Sequence, residues 1–150
     1  MEGYGVLVAI HNVLRWAVLV AAVAAIGGAW HGVFKQREWV KGDRIRAVAY
    51  VATMHLQLLL GLVLYVQSPL VRAAMDDPGA AMGARELRFF FVEHIFMMIL
   101  AVIMVQLGSS LSKRAEEDAS KHKRAAIFFT IGLVLILAGM PWWRPLMPGF

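Results

Sequence analysis

Four long apolar blocks alternate with short polar ones: about residues 6–30, 47–66, 89–107 and 125–143, the last shortened by Pro141. Each has the length a helix needs to cross a hydrocarbon layer about 30 Å thick. Lipid offers no partner to a backbone N–H or C=O, so such blocks span as helices with every bond made internally. Short connections set sequence neighbours antiparallel. The expected fold is all-α, an integral membrane four-helix up-and-down bundle, with residues 1–150 forming a single domain.

The polar blocks predict an orientation. Residues 31–46 hold Lys35, Arg37, Lys41, Arg44 and Arg46 against Glu38 and Asp43, and residues 109–124 hold Lys113, Arg114, Lys121, Lys123 and Arg124. Both belong on the cytoplasmic side. Residues 67–88 balance Arg72, Arg85 and Arg88 against Asp76, Asp77 and Glu86, and Pro69, Pro78, Gly79 and Gly83 predict an irregular loop there. That loop is expected outside, with the N- and C-termini. Tyr4, Tyr65, Trp142 and Trp143 then fall at the outer interface and Trp30 and Trp39 near the inner one, as aromatic belts require.

Composition narrows the chemistry. The chain is 60% hydrophobic with net charge +5, and its basic residues sit almost entirely in the loops, where topology explains them; no nucleic-acid partner is expected. Cysteine is absent, which excludes disulfides, a covalent c-type haem and Cys-ligated iron–sulfur clusters. The segment Met1-Glu2-Gly3-Tyr4 has no basic n-region and the block after it is too long for a signal peptide, so it reads as a retained span. No nucleophile-and-base set or nucleotide loop appears, so no enzyme activity is expected of the chain alone.

The polar residues inside the spans carry the functional expectation, because ionisable groups at membrane depth are costly and usually face other helices. His11 and His94 each lie about five residues inside spans that start on the same side, hence at one depth of roughly 8 Å. A haem between helices needs two imidazoles at one depth on facing helices, and the first and third spans are diagonal in such a bundle. His11 and His94 are therefore the expected axial ligands of one haem b, with Arg15, one turn from His11, bound either to a propionate or to Glu93. Phe90, Phe91, Ala17, Gly61 and Gly132 are available to line the site. His55 lies near mid-membrane and forms, with Glu93 and Gln57, a candidate polar network. His31 and His122 fall in or beside the basic loops, where a solvated imidazole is expected.

His11-Asn12-Val13-Leu14-Arg15-Trp16, His55-Leu56-Gln57 through Gly61, Arg88-Phe89-Phe90 with Glu93-His94, and Pro141-Trp142 resemble a family of small four-helix bacterial membrane proteins labelled cytochrome b-like. The run from His55 to Gly61 is similar, more distantly, to the four-helix halves of haem A synthase. There the last helix of each half also carries a ligand; the fourth span here has no histidine, so synthase activity is not carried over. The resemblance implies a multi-pass protein of the bacterial inner membrane that binds haem for electron transport, with quinone or other membrane redox subunits as partners. The alternatives are a cofactor-free accessory subunit of a larger respiratory or transport complex, and a metal or proton pathway through His11, His55, His94 and Glu93.

Overall fold

The computed structural model describes residues 2–145; Met1 and residues 146–150, hence the chain ends that the loop charges predict to lie outside, fall beyond that range. The described chain is all-α. Helix α1 (Glu2–Lys35) is followed by α2 (Lys41–Gln67), three short helices α3 (Pro69–Asp76), α4 (Pro78–Gly83) and α5 (Arg85–Arg88), a π-helical turn (Phe89–Glu93), α6 (His94–Arg114) and α7 (Asp118–Ala138). Helix α5, the π turn and α6 run on as one rod. That rod, α1 and α2 are each long and apolar enough to cross a membrane.

Helix α7 is different. Lys121, Lys123 and Arg124 occupy its early turns, and it stops at Ala138 instead of reaching Trp143, so its uncharged part is only about 21 Å long. Gly139 caps it, two residues before Pro141 can break it.

The long helices form a ring in which α1 touches α2 and α7, and α6 touches α2 and α7, the α2–α6 side being the thinnest. Helices α1 and α6 thus face each other along a diagonal. Small residues line the close contacts: Ala22, Ala25 and Ala29 on α1, Ala101 on α6, Ala125 and Ala126 on α7, all buried. A Cβ on Gly108 would stand 2.9 Å from Phe128 and Phe129, so the α6–α7 approach requires glycine there. Between apolar helices in lipid such close packing takes the place of the hydrophobic effect.

One end of the ring, built from residues 31–46 and 109–124, is held by ion pairs and a packed histidine; we call it the basic end. Buried Asp43 accepts two hydrogen bonds of 2.6 Å from Arg37, one of 3.1 Å from Arg46 and one of 3.1 Å from the Val40 N–H. The Arg37 fork also reaches the Gly28 carbonyl, tying the α1–α2 turn to α1. His122, expected in solvent, is instead fully buried: it lies against Gly32, where a Cβ would overlap its ring, and its ring centroid is 4.9 Å from that of Trp39. The reason is that α7 begins at Asp118, placing His122 within the helix and on its packed side.

At the opposite end the segment 67–88 is helical rather than irregular. Ser68 Oγ accepts from the Val71 N–H and Asp77 Oδ1 from the Ala80 N–H, with Pro69 and Pro78 at the first helical positions. A proline there loses nothing, because the N–H it lacks has no intrahelical partner.

Candidate functional site

A cavity of about 490 Å³ opens within the ring at the end that carries α3–α5. His11, Asn12 and Arg15 from α1, Met54, Gln57 and Gly61 from α2, Phe90 from the π turn, His94 and Met98 from α6, and Ile136 and Gly139 at the close of α7 are among its walls. Its size and its mostly apolar lining with a few polar groups are those of a small-molecule site.

His11 and His94 meet across the diagonal, their ring centroids 6.5 Å apart and their planes at 70°. The Nδ1 atom of His94 lies 2.7 Å from the Gly139 carbonyl oxygen. A carbonyl only accepts, so Nδ1 carries the proton and Nε2 keeps its lone pair. This carbonyl is free because α7 has already ended and the last carbonyls of a helix have no partner within it. Phe89 and Phe90 flank the His94 ring at 5.7 and 6.1 Å. His11 is placed differently: its backbone carbonyl accepts from Gln57 Nε2 at 3.0 Å, while its Nδ1 and the Gln57 Oε1 are buried without hydrogen-bond partners among the described residues.

The π turn separates His94 from its neighbour in sequence. On an α-helix residues three and four apart are neighbours; here the wider turn brings Arg88 and Glu93, five apart, into an ion pair of 2.6 Å. Tyr65 from α2 donates to the Phe91 carbonyl at 2.9 Å, satisfying an acceptor in the irregular turn. Such turns concentrate at functional sites. Glu93 is therefore engaged by Arg88, not by Arg15, and is not part of the cavity wall.

The predicted polar network is dispersed. His55 lies on the outer side of α2, exposed, with its Nδ1–H donating to its own helix at the Val51 carbonyl, 2.8 Å away. Of His55, Glu93 and Gln57, only Gln57 reaches the cavity. Phe90 and Gly61 line it; Phe91, Ala17 and Gly132 do not. Arg15 is buried and lines the cavity. His31, exposed as expected, accepts from Arg37 Nε at 3.3 Å.

Two further wall residues were not singled out by sequence reasoning. The Gly139 carbonyl was detectable in principle, since Gly139-Met140-Pro141 is a helix stop signal and a stopped helix leaves carbonyls free. Arg144 was not: it reaches the cavity mouth through a non-helical segment, pairing with Glu86 and covering the Phe90 ring with its guanidinium carbon 4.5 Å from the centroid.

Among the described residues no group of three or more His, Asp or Glu side chains could hold a metal ion. What the cavity offers is a facing pair of imidazoles in an apolar wall. Comparison with protein families, with curated proteins and with solved structures gives no match to this chain.

Proposed function

We propose that this chain is a membrane-embedded, b-type cytochrome-like protein that holds one haem between α1 and α6, with His11 and His94 as axial ligands, and passes single electrons. The observation that carries the reading is the imidazole pair facing across the cavity, one of its members fixed in the tautomer that leaves Nε2 free. A metal between two imidazoles lies about 2 Å from each nitrogen, and adding roughly 1 Å from nitrogen to ring centre gives a centroid separation of about 6 Å. The observed 6.5 Å is close to that. A porphyrin brings its own four nitrogens, so two protein ligands complete the iron. Haem when bound supplies one-electron chemistry at that iron.

The chain's own residues would do the rest. Gly139 orients His94 and holds its tautomer; Phe90, Met54, Met98 and Ile136 exclude water from the ring faces; Arg15, one turn from His11 on the same face, stands where a propionate can be met. In this reading α7 is a fourth span, the basic end is cytoplasmic, both termini lie outside, and the protein is a multi-pass component of the bacterial inner membrane with quinone or another membrane redox subunit as partner. The supports are the loop charges and the resemblance to cytochrome b-like proteins.

The test is a reduced-minus-oxidised spectrum of protein purified in mild detergent from cells supplied with haem. A Soret band with sharp α and β bands is expected; folded protein with a featureless spectrum overturns the reading. One observation favours a second reading, a cofactor-free subunit of a larger assembly. Helix α2 turns His55 outward onto a face whose exposed neighbours, among them Leu56 and Leu59, are apolar, and a polar side chain on such a face suits a hydrogen bond to another membrane helix. Colourless protein that co-purifies with other subunits is its expected result. The dispersal of His55 and Glu93 gives a metal or proton pathway no comparable support.

A further inference from the structure

The two imidazoles across the cavity are not equivalent. His94 is tied at its far nitrogen to the Gly139 carbonyl and flanked by Phe89 and Phe90. His11 has no such hold, since its Nδ1 is buried and makes no hydrogen bond among the described residues. Gly61 lies beside it: a Cβ there would stand 3.4 Å from His11 Cε1, an ordinary contact, so a space of about one methyl group adjoins the ring. A histidine that donates its second N–H is the more basic and better oriented ligand, and losing that outer partner typically costs 10–100-fold in metal affinity.

We infer that His94 is the fixed ligand and His11 the exchangeable one, and that the His11 side of the cavity is a binding site for a neutral diatomic gas, carbon monoxide or nitric oxide. This rests on the haem reading above. On that reading His11 would give up its hold on the iron with its electron pair kept on the imidazole, and the lone pair of the gas would take its place while His94 stays bound. No electron or proton is transferred, so no co-reactant is needed. The ring would move toward the space at Gly61, and the mostly apolar lining of the cavity suits an uncharged guest better than an ion.

The experiment is carbon monoxide titration and flash photolysis of the haem-loaded, dithionite-reduced protein. Wild type is expected to lose its low-spin α band and shift its Soret band on adding the gas. His11→Ala is expected to keep haem in a high-spin form that binds carbon monoxide at least about tenfold faster, whereas His94→Ala loses most of its haem. Gly61→Ala, which fills the space beside the ring, is expected to slow binding by about tenfold, an effect of the size that small cavity changes produce. A coloured wild type whose reduced spectrum ignores saturating carbon monoxide overturns the inference while leaving the haem reading intact. So does an unchanged binding rate in Gly61→Ala, or a reversal in which His11→Ala loses haem and His94→Ala keeps it. A colourless wild type overturns both.

Discussion

The two ends of the ring treat a buried histidine in opposite ways. At the basic end His122 is wholly enclosed, packed on Trp39 and pressed against Gly32, beside a carboxylate saturated by two arginines and a backbone N–H. At the cavity end His11 and His94 look into open volume, and polar atoms of His11 and Gln57 have no hydrogen-bond partners among the described residues. Buried polar groups left unsatisfied cost on the order of 1–3 kcal/mol each. His122 Nδ1 is likewise without a hydrogen-bond partner among the described residues, so the two ends differ in open volume and packing rather than in polar satisfaction. Stability and ligand capacity are thus divided between the two ends.

Exchanging the effects of two alanine substitutions is the strongest way to break this division. His94→Ala is expected to reduce haem retained after purification by more than about tenfold, while its melting temperature in the haem-free state changes little. His122→Ala opens a void in a packed region and is expected to cost about 2–4 kcal/mol, read as a lowered melting temperature, with haem per folded molecule unchanged. Loss of haem in both, measured as Soret absorbance per folded protein, would show that the ends are not separate. Arg37→Gln adds a charge-based version of the same test. It leaves the buried Asp43 carboxylate with only Arg46 and the Val40 N–H, and because Arg37 is itself partly exposed the expected loss is about 2 kcal/mol, below that of a fully buried pair.

The glycines sharpen the comparison at smaller energies. A methyl group at Gly32 would overlap the His122 ring, so Gly32→Ala is expected to destabilise by about 1–3 kcal/mol. The same methyl at Gly61 meets only ordinary contact with His11, so Gly61→Ala is expected to stay within about 0.5 kcal/mol of wild type. Thermal or denaturant unfolding of both proteins in one detergent decides it; equal losses would mean that the cavity end is packed as tightly as the basic end.

Much of this arrangement was legible in the sequence because it depends on length and depth. Apolar runs predicted the long helices, and counting residues from the block edges put His11 and His94 on one level, which is where the structure brings their rings together. What failed depended on helix phase and local chemistry. Pro69 and Pro78 read as breakers, yet behind Ser68 and Asp77 they start helices, so the segment 67–88 is helical instead of irregular. The last helix looked five residues longer than it is because Trp142 and Trp143 are as apolar as the helix before them, while Gly139 had already capped it. His55 and His122 exchanged their expected surroundings for a related reason: when nearly every position is apolar, the pattern does not say which side of a helix faces its neighbours. Glu93 was misassigned because a π turn cannot be read from residue spacing, and one extra residue per turn redirects everything around it.

That last misassignment yields the smallest and most discriminating prediction. If the π turn exists to aim His94, Glu93 is a surface partner of Arg88 and nothing more. Both side chains of the pair are more than a third exposed, and exposed ion pairs contribute at most about 1 kcal/mol. Glu93→Gln is therefore expected to lower stability by less than about 1 kcal/mol and to leave the Soret and α bands where they are. The proximity of Glu93 to His94 in sequence argues for the opposite, that a carboxylate beside the proposed ligand tunes it. Redox titration of the two proteins separates these views: a carboxylate acting on the metal site shifts the midpoint potential when its charge is removed, whereas a carboxylate turned away by the π turn, and already neutralised by Arg88, does not. A shift larger than the error of the titration would mean that Glu93 reaches the site in the folded protein and that the wide turn does not isolate it.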